Sequence, residues 1–260
     1  MKANRIKTRG PDGHADPDNP LYDVVQDAYR VFAASEPPET VGACDCCMEP
    51  NIKADFFNHG QRDLPFHYLK DWFFAAVDDT FSKRTWSYLL PRVFDALAAR
   101  EDVSSVGNEV ALSKFPTGKR EHWSDEEWDV IDRFQRLYLE TQVGRTYDIY
   151  DEKYRLDDVL SIFGYAQWDA TSLFDQVFQW PTDQLAKQLW SDWCELGKPG
   201  VWINSFWPDA SVPYEHYTSQ SLYDRMVAFG MDEVNEKEIA GKALQVADAI
   251  EAFRTDSHRS

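Results

Sequence analysis

Apolar residues recur along this chain at steps of three and four, and this spacing constrains the fold more than any other feature. The first such stripe is formed by Leu21, Val24, Val25, Ala28, Tyr29 and Phe32. No segment shows the sustained alternation that is typical of a half-buried strand. The sequence therefore predicts an all-α protein with about eight to ten helices in an antiparallel array, and a HEAT-like solenoid is one form such an array could take.

Glycine, proline and capping residues mark where the predicted helices begin and end. Ser124 and Glu127 have the spacing of a capping box, in which each side chain accepts a hydrogen bond from the other residue's backbone. Pro91 lies inside an apolar segment and predicts that this helix is kinked or split. The predicted helices cover residues 21–32, 64–77, 81–99, 124–143, 156–163, 169–179, 182–196, 214–229 and 233–254.

Two polar stretches bear on domain organisation. Residues 1–19 contain several glycines and prolines and no apolar stripe, so we expect a disordered arm there. Residues 20–260 are then predicted to form a single helical domain. The stretch 101–123, with Gly107 and Pro116, is the place where that domain would subdivide if it contains a linker.

The charge balance limits the partners that the chain can bind. Acidic residues outnumber basic ones 45 to 27, which gives a net charge of −18. Such a field repels nucleic acids and anionic membranes and attracts basic proteins or cations. The apolar run at residues 72–77 is far shorter than the roughly 20 residues of a membrane span. We therefore expect a cytoplasmic protein that binds neither nucleic acid nor membrane, although acidity that serves only solubility remains an alternative.

Three of the four cysteines lie within four residues, at Cys44, Cys46 and Cys47. The C-x-x-C spacing allows two thiolates to face one ion, and Cys46 becomes a third ligand if the turn permits. A closed tetrahedral site needs a fourth ligand, for which Cys194, His59 and His67 are candidates. Cys44, Cys46, Cys47 and Cys194 are thus the candidate ligands of a metal site, and zinc is the candidate ion.

Two other interpretations of the cysteine cluster remain open. A thioredoxin-type C-x-x-C opens a helix after a strand, whereas nothing strand-like precedes Cys44, and Asp45 is expected to raise the pKa values of nearby thiols. The thiols could also be inert parts of the irregular stretch 37–62. Because loops of this length are usually functional or held by something specific, a bound ion is one explanation for its order.

The loop 201–208 carries three large aromatic residues beside prolines, namely Trp202, Phe206 and Trp207. If they are exposed, they form a binding patch for a partner, and if they point inward they form a satellite core. The sequence lacks an H-E-x-x-H, a G-x-S-x-G and a P-loop, so it favours no enzymatic activity.

Several short motifs together are similar to a group of uncharacterised bacterial proteins. They are Tyr29-x-x-Phe32, Pro37-Pro38, Cys44-x-Cys46-Cys47 and, further along the chain, Leu90-Pro91-Arg92. The resemblance covers roughly residues 25–100. It implies a bacterial or phage-related helical protein in which the cysteine loop is part of the architecture, and it assigns no role to any residue.

These observations support two functional hypotheses. The first is an acidic helical protein that binds a basic protein partner, such as an immunity or antitoxin-type inhibitor of a basic effector. The second is a zinc-binding or thiol-redox protein that uses residues 44–47.

Overall fold

The computed structural model describes residues 10–44, 46–75, 82–105, 107–141, 155–195 and 200–257. Within these ranges the secondary structure is helical, with no strand, which confirms the all-α prediction. The helices are α1 (Tyr22–Val31), α2 (Pro50–Asp55), α3 (Phe66–Phe74), α4 (Lys83–Ala98), α5 (Asn108–Leu112), α6 (Asp125–Glu140), α7 (Leu156–Tyr165), α8 (Ala170–Phe178), α9 (Thr182–Trp193), α10 (Ser211–Tyr217), α11 (Gln220–Met231) and α12 (Lys237–Ser257).

The chain divides into two compact units, Met1–Tyr138 and Leu139–Ser260, where the sequence predicts one domain. The division falls near the end of α6 and not in the polar stretch 101–123. Helix α6 runs through this boundary to Glu140 without a glycine or proline. Local composition therefore gives no signal for this boundary.

Helix α4 forms the centre of the first unit, and every residue from Thr85 to Ala98 is buried. It packs against α1, whose apolar stripe faces it. Pro91 lacks a backbone N–H and cannot donate to the preceding turn, yet α4 runs through it as one helix and is not split. Burial on all sides supports the helix at this position.

The part of the predicted arm that the structure describes, residues 10–19, packs against α4. The backbone N–H of Ala15 donates to Oδ1 of the buried Asp95 at 2.7 Å. The fully buried Arg92 guanidinium donates to the Gly13 carbonyl at 3.1 Å. Residues 10–19 are thus ordered where the sequence predicts disorder, because two buried charged side chains of α4 bind the backbone of this polar segment.

The stretch 101–123 also differs from a linker. Its apolar side chains Val103, Leu112 and Phe115 are buried in the first unit, and the Phe115 ring lies 6.0 Å from that of Trp72.

The predicted capping box at the start of α6 is confirmed. The Ser124 N–H donates to Glu127 Oε2 at 2.8 Å, and the Glu127 N–H donates to Ser124 Oγ at 3.3 Å.

The second unit contains α7 to α12. Helix α12 packs against both α11 and α9, and α7 packs against α8. Its core is rich in aromatic rings, as in the edge-to-face contact between Trp193 and Tyr217 at 5.2 Å. No helix in the described part of the chain has the length and apolar character needed to cross a membrane.

Candidate metal centre

The cysteine loop is held at both ends by contacts within the first unit. Before the cluster, the Trp72 indole N–H donates to the Val41 carbonyl at 2.8 Å, and Lys53 Nζ donates to the Ala43 carbonyl at 2.7 Å. After the cluster, the Met48 side chain is buried in the core. The protein itself therefore orders both flanks of the segment that carries the thiols.

The three thiols lie on one tight turn. The Cys47 N–H donates to the Cys44 carbonyl at 3.3 Å, which closes the turn. The Sγ atoms of Cys44 and Cys46 are 3.0 Å apart, and those of Cys46 and Cys47 are 3.5 Å apart. All three Sγ atoms lie within 4.8 Å of one another. Cys46 is exposed and the other two are partly exposed, so an ion can reach the group from solvent.

The donor set suits a thiophilic ion. Thiolate sulfur binds zinc and monovalent copper in preference to magnesium and calcium, which prefer oxygen ligands. Three sulfur atoms at these separations can share one ion after adjustments of the side-chain torsions. No further His, Cys, Asp or Glu in the described ranges belongs to the group.

The pKa values of two neighbouring thiols in the cluster shift in opposite directions. Hydrogen bonds from Cys47 and Cys46 stabilise the Cys44 thiolate and lower its pKa to about 7. The side-chain hydrogen bonds with Cys44 and Cys47 raise the pKa of Cys46 to about 11. The prediction that Asp45 raises the thiol pKa values stays a prediction. Asp45, the expected cause, lies outside the described residues.

The structure does not bring all the predicted ligands into one group. Cys194 belongs to the second unit, where its buried thiol donates to the Gln245 carbonyl at 3.7 Å and burial raises its pKa to about 11. His59 is bound through Nε2 to Asp55 at 2.9 Å. The His67 ring packs edge-on against Tyr68. The group of clustered thiols thus contains Cys44, Cys46 and Cys47, whereas Cys194 is a buried side chain of the other unit.

The aromatic loop of the second unit is only partly a surface patch. Trp202 is 42% exposed and carries the Arg155 guanidinium over its ring at 3.9 Å, while Phe206 is 36% exposed. Trp207 is only 7% exposed and stacks on Phe174. The alternative of an inward-pointing satellite core therefore describes Trp207, because this ring packs against Phe174 of α8.

An aspartate at the start of α7 holds this loop and is absent from the sequence-based candidates. The buried Asp157 carboxyl accepts hydrogen bonds from the Asn204 N–H at 2.5 Å and from Trp207 Nε1 at 3.1 Å. Burial raises its pKa to about 7. The sequence explains an acid here as a favourable charge at a helix N-terminus. Its loop partners lie 47 and 50 residues away, so local pattern carries no signal for them.

No family model matches this chain, and comparisons with curated proteins and with solved structures found no match. The resemblance to uncharacterised bacterial proteins and the HEAT-like arrangement therefore stay predictions.

Proposed function

We propose that this protein binds a thiophilic metal ion through Cys44, Cys46 and Cys47. The observation that supports this most directly is the mutual proximity of the three Sγ atoms, all within 4.8 Å. Zinc is the first ion to test, since thiolates are its preferred ligands in proteins. A reducing compartment such as the cytoplasm keeps these thiols available for an ion.

The geometry favours this proposal over an inert role for the thiols. Met48 and the backbone of Val41 already anchor the loop to the core, so the thiols are not needed for packing. A buried cysteine such as Cys194 usually acts as a small apolar side chain. The three clustered thiols instead reach solvent and contact one another.

The test is a zinc titration of the reduced full-length chain against a chromophoric chelator. We expect one zinc ion per chain, and Cys46→Ser should weaken binding by about tenfold or more because one of three linked ligands is lost. The matched control Cys194→Ser removes a thiol outside the cluster and should leave the affinity within about twofold. If zinc and other thiophilic ions do not bind, or if both variants bind like the wild type, the proposal fails.

A second candidate function is binding of a basic protein, as an inhibitor of the immunity or antitoxin type. It is supported by the net charge of −18 and by the partly exposed rings of Trp202 and Phe206. The test measures binding to a panel of purified basic nucleases at low and high salt. We expect binding that weakens with salt and that is reduced by Trp202→Ala but not by the control Phe74→Ala, which removes an exposed ring of the first unit. Absence of salt-sensitive binding contradicts this candidate.

A further inference from the structure

We propose that the Cys44–Cys46–Cys47 site takes trivalent arsenic, supplied as uncharged arsenous acid, in preference to a tetrahedral divalent ion. This inference rests on the proposed function, since it requires that the three thiols act on one thiophilic centre. It goes further by assigning the chemical class of the ligand.

The three thiols offer three sulfur donors, without a fourth His, Cys, Asp or Glu ligand in the group among the described residues, and two of the sulfur pairs are close. A tetrahedral zinc ion with Zn–S bonds of about 2.3 Å holds its sulfur ligands about 3.8 Å apart. Two of the three Sγ separations, 3.0 Å for Cys44–Cys46 and 3.5 Å for Cys46–Cys47, are smaller, and all three Sγ atoms lie within 4.8 Å of one another. Trivalent arsenic is pyramidal because a lone pair occupies its fourth direction, and its S–As–S angles are near a right angle. Such a centre draws three sulfur atoms closer together than zinc does, and the two separations of 3.0 and 3.5 Å agree with this.

The number of donors and their exposure agree with this geometry. Three sulfur atoms complete the shell of trivalent arsenic, whereas tetrahedral zinc takes a fourth ligand. The exposed position of Cys46 leaves room on the solvent side for the lone pair. The Lys53–Ala43 hydrogen bond and the buried Met48 hold the two flanks, which reduces the entropy lost when the thiols converge on one atom.

The binding step is a condensation that needs no oxidant or reductant. One molecule of As(OH)₃ reacts with three Cys–SH groups to give As(S–Cys)₃ and three molecules of water. Three As–S bonds form, three As–O and three S–H bonds break, and each hydroxyl leaves with one thiol proton. Arsenic stays trivalent and the adduct carries no added charge.

The experiment compares arsenite, Zn²⁺ and monovalent copper, each added alone to the reduced full-length protein without oxygen. Intact-mass spectrometry should show one arsenic added and three hydrogens lost. The count of reactive thiols in the unfolded adduct should fall from four to one, the remaining thiol being Cys194. Cys46→Ser and Cys47→Ser should each weaken arsenite binding by about tenfold or more, and Cys194→Ser by less than about twofold. Circular dichroism of each variant verifies that it is folded.

The outcomes separate this inference from the function on which it rests. If arsenite binds with loss of three thiols and more tightly than zinc, the inference holds. If zinc or copper binds through the three cysteines but arsenite does not, or binds only two thiols, the inference is overturned and the proposed function stands. If none of the three binds, both are overturned.

Discussion

Replacing Asp157 with asparagine should remove a pH dependence that this buried carboxyl imposes on stability. Burial is the largest influence on Asp157 and raises its pKa from the ordinary 3.8 to about 7, against the opposing effect of the hydrogen bonds from Asn204 and Trp207. The folded chain therefore holds a proton that the unfolded chain has released between these two values. Stability must then fall as pH rises through this window, which is opposite to the usual behaviour of a paired carboxylate.

The size of the effect follows from the two pKa values. Between pH 5 and pH 8 the wild type should lose about 2.5 kcal/mol of unfolding free energy through this one group. Asparagine has nearly the same shape and does not ionise. The difference in unfolding free energy, Asp157→Asn minus wild type, should therefore grow by about 2.5 kcal/mol from pH 5 to pH 8.

The assay is urea unfolding of the full-length chain at several pH values, followed by circular dichroism. Subtracting the wild type removes the contributions of the other titrating groups, which are the same in both proteins. The matched control Asp183→Asn makes the same chemical change at a partly exposed position of α9, where the acid pairs with Lys187, and its difference should vary by less than about 0.5 kcal/mol. If the difference in unfolding free energy between Asp157→Asn and the wild type changes with pH as little as that of the control, the reasoning is refuted.

Three further predictions concern packing, a buried charge and a reactive thiol. Gly164→Ala should lower the free energy of unfolding by about 1–3 kcal/mol, because its new Cβ would clash with the Trp207 ring. Gly241→Ala, with open space around it, should instead stabilise helix α12 by about 0.5–1 kcal/mol, and thermal unfolding compares the two variants. Asp95→Ala should lower the free energy of unfolding, measured in urea, by about 2–4 kcal/mol, because the buried donors that bind this carboxylate lose their acceptor. A loss below about 1 kcal/mol would contradict the role of Asp95 in holding residues 10–19 against α4. Alkylation of Cys44 by iodoacetamide, followed by peptide mass spectrometry, should rise with pH around a midpoint near 7, because the thiolate is the reactive form; a midpoint near 9 would contradict the lowered pKa.

Much of the helical architecture could be predicted because periodicity and capping are local. The predicted helix at 21–32 corresponds to α1, and the capping box before α6 is present in both of its hydrogen bonds. Helix α2 was missed because six residues are too few to show a periodic stripe. The predicted helix at 214–229 is in fact two helices, since Ser219 accepts a hydrogen bond from the Leu222 N–H and starts α11 anew. A serine at that position is a signal that sequence reasoning could have used.

The candidate site was predictable only where its members are neighbours in the chain. Cys44, Cys46 and Cys47 are close in sequence, so a single turn brings them together, whereas nothing local shows that Cys194 is buried beside Gln245. Trp207 looks like an exposed loop residue until its indole N–H is seen to donate to Asp157. These contacts depend on how distant segments pack, which apolar spacing alone does not encode.

X-ray absorption spectroscopy of the zinc-loaded full-length protein tests the central claim most directly, because it counts the sulfur atoms bound to the metal. The account predicts three sulfur ligands at about 2.3 Å in the wild type and in Cys194→Ser. It predicts two in Cys46→Ser. Zinc bound only by oxygen and nitrogen, or a sulfur count that Cys46→Ser leaves unchanged, would contradict the claim that Cys44, Cys46 and Cys47 form one metal centre.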